Sequence, residues 1–178
     1  MTLRTIALAA SLSLSALLPA AAHAQQWPNP YGAPIGLEHA RKAAAAAAAE
    51  AKKNGWTVAV AVVEPGGVLV YYEKADNTQY GSAHVAIEKA RSAAEYKRPT
   101  KNFEDPVNSG KPNILGLPGA LPLEGGLPLV VDGKIIGAIG VSGATSAQDG
   151  QCAKAGAEVL GPQPAAAPAP AAPAPAKK

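Results

Sequence analysis

Two histidines, His39 and His84, are the side chains best suited to ligate a metal, each through a neutral ring nitrogen. They fall in different predicted helices. His84 and Glu88 stand four residues apart, which puts an imidazole and a carboxylate on one helix face, either as a chelate or as a solvated pair. Arg98, Thr100 and Lys101 surround Pro99, where the second predicted helix has to stop. A helix dipole favours cations at that end in any case. The chemical alternative is a pair of charged donors for an acidic ligand group, with Thr100 donating or ligating beside them.

Nucleophilic chemistry has less support. No G-x-S-x-G elbow is present, and Glu64 lies in a predicted turn where a carboxylate is simply solvated. Cys152 falls near the start of the last predicted helix, a place that lowers a thiol pKa, whereas burial against a sheet makes a thiol inert. As the single cysteine, it excludes an internal disulfide and the usual thiolate zinc sites. Nothing in these patterns demands an enzyme. The stretch "KIIGAIGVSGATSAQDGQ" looks at first like a phosphate-binding turn, but Gly137, Gly140 and Gly143 are spaced three apart, not as G-x-G-x-x-G. Their strand also belongs to a hairpin, and no further strand follows the helix. Here the glycines are expected to admit another backbone, helix or flat ligand close to the sheet.

The elements that must position these residues follow from periodicity and punctuation. Leu37–Asn54 is an alanine-rich helix stopped by Gly55; its seven consecutive alanines make one side thin enough for a close neighbour. "WTVAVAVVEPGGVLVYYEK" is a hairpin whose first arm, apolar on both faces, reads as a central strand. A second helix over Ser82–Tyr96 buries Ala83, Ala86, Ile87, Ala90, Ala93 and Ala94, and turns His84, Glu88, Arg91 and Glu95 outward. "KNFEDPVNSG" holds a short helical turn and "KPNILGLPGALPLEGG" is a long loop. Asp132-Gly133 joins two more apolar arms in an antiparallel type I′ hairpin. Ser146 and Asp149 are expected to form a capping box opening a last helix that ends near Leu160. The fold class is therefore α/β (α+β), an antiparallel sheet of hairpins packed by helices.

Composition sets the frame around this domain. Residues 1–24 carry Arg4, an apolar core and a closing Ala-His-Ala, the pattern of a secretory signal peptide cut after Ala24; the mature protein is then periplasmic or secreted. Residues 25–36 are a lead-in, 37–160 the domain, and 161–178 a Pro/Ala-rich tail that favours polyproline II and cannot bury a core. The net charge of +3, without a basic run interleaved with aromatics, argues against nucleic acid as a partner.

Together, "NGWTVAVAVVEPGGVLVYYEKAD", "AIEKARSAAEYKRPT" and "GGLPLVVDGKIIGAIGVSGATSAQD" resemble the GlcG/HbpS family of haem-binding proteins, over about residues 37–160. The resemblance implies a profilin- or Roadblock-like domain, homo-oligomers (often octamers), and haem or a related tetrapyrrole as ligand, with a corrinoid as the other candidate. It implies capture, storage or sensing, beside a sensor or enzyme partner in some relatives, and haem degradation as the enzymatic alternative. Residue by residue the carry-over is short. "KARSAA" maps onto Lys89–Ala94, "RPT" onto Arg98–Thr100 and "GGLP" onto Gly125–Pro128. Axial ligation varies within the family, so neither histidine inherits a role; this chain also has Glu64-Pro65 where many relatives have an aspartate.

Overall fold

A computed structural model describes residues 29–161; the expected signal peptide and all but the first residue of the expected tail lie outside the described residues. Helix α1 (Leu37–Lys53) is followed by strands β1 (Ala59–Val63) and β2 (Leu69–Lys74) and by helices α2 (Gly81–Glu95) and α3 (Lys101–Asn108). A 3-10 turn (Pro112–Gly116), strands β3 (Gly126–Val131) and β4 (Lys134–Ser142), and helix α4 (Ser146–Glu158) complete the order. The strands form one antiparallel sheet in the order β2-β1-β4-β3, so the doubly apolar β1 is central, as its sequence implies. No described helix is long and apolar enough to cross a membrane.

The sheet separates two cores of different construction. Val58, Val60, Val62, Leu129, Ile139 and Val141 point to the face covered by α1 and α4. Each such side chain, fully buried, contributes roughly 1.5–3 kcal/mol. Both helices pack there through small residues. α1 buries Ala40, Ala43, Ala44, Ala47 and Ala51, and the α4 residue Gly156 sits where an added Cβ would lie 2.7 Å from the Ala43 carbonyl oxygen. The thin side of the alanine run is thus filled by α4.

On the opposite face the inward residues are Ala59, Ala61, Val63 and Ala138, and among the described residues α2 covers them, through Ala86, Ala90, Ala93 and Ala94. Small meets small, so backbones touch. A Cβ on Gly140 would overlap the Ala86 carbonyl, and one on Gly126 would overlap that of Lys89. The glycines of β4 therefore serve close backbone approach, as the sequence predicts.

The start of α4 corrects one expectation. Thr145, not Ser146, is the N-cap, and Gln148, not Asp149, closes the capping box. Asp149 is drawn elsewhere: its carboxylate is buried, accepts from the Ala144 backbone N–H at 3.0 Å and pairs with Lys89.

Candidate functional site

The end of α2 brings three cations, Lys97, Arg98 and Lys101, near three rings, Tyr31, Tyr96 and Phe103. Tyr96 caps the helix, and a Schellman arrangement follows, with Lys97 N–H on the Ala94 carbonyl and Arg98 N–H on that of Ala93. That motif needs a left-handed residue, which is Lys97 at φ 54° instead of the usual glycine. Pro99 then forbids the helix to continue. Lys97 is held by a ring: its Nζ lies 4.1 Å from the centroid of Tyr31, whose hydroxyl donates to the Ala94 carbonyl at 2.9 Å. A strained non-glycine backbone held by an aromatic contact is the kind of feature that marks functional corners.

Arg98 is half-buried, its guanidinium 5.5 Å from the Phe103 ring and its Nε donating to the Tyr96 carbonyl at 3.1 Å. Loss of hydration pulls its pKa below the ordinary guanidinium value. Tyr96 meets Phe103 edge-on at 5.4 Å and donates its hydroxyl to the Pro118 carbonyl, which ties the long loop to the corner. Lys101 reaches Asp105 at 2.9 Å and Glu124 at 3.4 Å. The hydrogen bond to Asp105 is the main reason its pKa is raised. The loop presents Leu115, Leu117 and Leu123 to solvent. The result is an aromatic corner with three cations, of which Lys101 is paired with Asp105 and Glu124, beside exposed aliphatic side chains.

Of the residues singled out from sequence, Arg98, Thr100 and Lys101 come together here. Thr100 is fully buried, and its hydroxyl accepts from the Gly126 N–H at 2.9 Å. His39 and His84 are not brought together. His39 is exposed on α1, on the other side of the sheet. His84 is exposed on α2, roughly 18 Å along the helix axis from Tyr96 at 1.5 Å per residue. Glu88, its expected partner, instead accepts from Arg91 at 2.7 Å. Among the described residues no cluster of three metal-ligating side chains occurs. Cys152 is buried, and burial pushes its thiol up to about 11, so it is inert.

A hollow of about 500 Å³ opens on the other face, between the end of α1 and strands β1 and β2, lined by Ala51, Lys52, Trp56, Val58, Glu73 and Lys74 among others. It contains none of the candidate site residues singled out from sequence. Its mixed charges and open shape make it a groove between packed elements.

What sequence reasoning missed is Lys89. It sits on the buried side of α2, 2% exposed, and donates to Asp149 Oδ2 at 2.8 Å and to the Val141 carbonyl at 3.0 Å. Burial raises the Asp149 pKa more than Lys89 and the backbone donors of Ala144 and Gly143 lower it. The signal was a lysine at the inward position of an alanine stripe.

A family model described as "Haem degrading protein HbpS-like" matches residues 35–158. Protein GlcG of Escherichia coli K12 is 49% identical over 98 residues, 55% of this chain and 73% of that protein. The crystal structure of HbpS is 37% identical, with a TM-score of 0.67, covering 73% of this chain and 92% of that one. The haem complex of PduOC, 24% identical with a TM-score of 0.62, covers 69% of this chain and 92% of that one and shares the fold.

Proposed function

This chain belongs to the HbpS-like family, and from that premise we propose that it is an exported protein that binds haem at the corner where α2 ends. The observation that carries the reading is the corner itself. Lys97, Arg98 and Lys101 are held within five residues, against the rings of Tyr31, Tyr96 and Phe103, beside a loop with exposed leucines. Haem is flat and apolar with two carboxylates, and pockets for such ligands combine apolar walls with a few polar anchors. Bound haem would supply an iron centre there. The residues of this chain do the rest. Arg98 offers a planar charged donor, Lys97 and Lys101 offer point charges, and the tyrosines and leucines exclude water. Thr100 holds the corner to the sheet. The signal-like leader supports export, and the exposed leucines support self-association into a homo-oligomer.

The test is a haemin titration of the mature chain followed in the Soret band, with a corrinoid titrated in parallel. We expect saturable binding, weakened at least tenfold in Arg98→Ala/Lys101→Ala and within twofold of wild type in His39→Ala. The same small effect is expected of His84→Ala. An affinity that survives the Arg98/Lys101 change but is lost with His84 moves the ligand to α2's exposed face. No saturable shift at micromolar protein overturns the reading. The family's description favours one second reading, haem degradation; decay of the bound Soret band on adding a reductant distinguishes it from simple capture.

A further inference from the structure

The buried Lys89–Asp149 pair lies outside the corner, yet its contacts lead into it. Lys89 comes from α2 on one face of the sheet and Asp149 from α4 on the other, and they meet beside Gly125, with no room between. A Cβ on Gly125 would lie 2.8 Å from Lys89 Nζ and 2.9 Å from Asp149 Cβ. From the pair, backbone bonds run outward in sequence. Lys89 Nζ donates to the Val141 carbonyl, and the Val141 N–H donates to the Gly125 carbonyl at 2.9 Å. Gly126 and Thr100 then exchange two bonds, Gly126 N–H to Thr100 Oγ1 at 2.9 Å and Thr100 N–H to the Gly126 carbonyl at 3.0 Å. The same strip holds the corner's cation: Glu124 Oε2 lies 3.4 Å from Lys101 Nζ, while the Glu124 N–H donates to Glu104 at 3.0 Å.

We propose that Lys89 and Asp149 are positioning residues for the ligand corner, fixing the Glu124–Gly126 strip and through it Thr100 and Lys101. This rests on the haem-binding reading for its functional consequence. A buried ion pair is a weak way to gain stability, because well-packed apolar residues of similar volume hold two layers together as well or better. What an ammonium does and a methyl cannot is point. Its donors select the Val141 carbonyl and the Asp149 carboxylate together, and so set where β4 ends relative to α2 and α4. Val141 bonds Gly125 directly, so an error at the pair passes to Thr100 within three hydrogen bonds.

The experiment uses the full mature chain and the double variant Lys89→Met/Asp149→Leu, which removes both charges at once. Two readouts are taken: haemin affinity with the Soret maximum, and amide hydrogen exchange in the ligand-free protein. The expected result is a folded variant with at least tenfold weaker haemin binding and a displaced Soret band. Its Gly126 and Thr100 amides exchange at least tenfold faster, while amides of β1 keep their protection. A folded variant with wild-type affinity, band and exchange overturns the positioning role and leaves the haem reading standing. If the wild type binds no haemin, the haem reading fails and exchange alone decides. Selective loss at Gly126 and Thr100 then upholds the relay, and uniform or absent change overturns it. Should the double variant not fold, Asp149→Asn takes its place under the same criteria, since it keeps an acceptor for the Ala144 N–H.

Discussion

The two faces of the sheet solve the same packing problem in opposite ways. Beneath α1 and α4, the strands supply bulk: Val60 stands beside Val141 across the ladder and Val62 beside Ile139. Beneath α2 they supply absence: Ala61 stands beside Gly140, and the helix backbone rests almost on the strand. Bulk contributes through area removed from water and tolerates small losses, because neighbours relax around them. Backbone contact has no soft atoms to give, so it fixes position more tightly than it stabilises. Lys89 and the corner at Arg98–Lys101 both belong to the α2 side, while Asp149 reaches Lys89 from α4 on the other face. The side that carries the corner is the one built from the smallest residues.

Single changes on the two faces put that contrast at risk. Lys89→Met alone leaves the Asp149 carboxylate buried without its partner and should lose about 3–5 kcal/mol, read by urea unfolding at neutral pH. A loss below about 1 kcal/mol would mean that the α2 layer adjusts, and the contrast would collapse. Gly140→Ala pushes a methyl into the Ala86 carbonyl and should cost about 3 kcal/mol, near the upper end for overpacking. If α2 simply lifts away, the cost will be small and haemin binding will fall instead.

The α1/α4 face offers the two gentler tests. Cys152 lies there, fully buried, with its folded pKa raised to about 11, above the free thiol at about 9. Between those values the unfolded chain gives up its proton and the folded chain does not. The stabilising contribution is therefore complete below about pH 9 and lost as pH rises through 11, by ~2–3 kcal/mol. Comparing wild type with Cys152→Ala across that range isolates the slope, and a thiol reagent at pH 8 should react only after unfolding. The smallest effect is expected one residue from the glycine already discussed: Ile139→Val, pointing to the bulky face, should cost about 1 kcal/mol. An Ile139→Val cost equal to that of Gly140→Ala would erase the distinction between the faces.

Much of this architecture is readable along the chain. The alanine helix with its Asn54-Gly55 stop, the central position of β1, the Asp132-Gly133 turn and the break at Pro99 all follow from local rules and are present. Even the two kinds of core are written into β1 and the residue before it, where Val58, Val60 and Val62 alternate with Ala59 and Ala61. That is an alternation of size on a strand apolar on both faces. The displaced capping box was also legible: Thr145 and Gln148 meet the S/T-x-x-E/Q pattern, whereas Ser146 is followed at that spacing by Asp149, whose carboxylate is buried against Lys89. The grouping of Arg98, Thr100 and Lys101 was also readable, since they are neighbours in sequence. Their aromatic partners were not all so: Tyr31 lies more than sixty residues upstream of Lys97 and arrives only because its segment runs beside β4.

By itself, then, the sequence determined the elements, their order, the pairing of the hairpins and the family, because each of these depends on residues close together or on a recurring pattern. The tertiary structure alone decided which charges are buried and with whom. Amphipathic spacing turns a charged residue of an alanine helix outward by default. Lys89 faces inward because Asp149, sixty positions away, and the Val141 carbonyl supply what water would otherwise have given it. The two histidines stand on opposite faces of one sheet, and tertiary packing alone brought the Tyr31 ring to Lys97 at the end of α2.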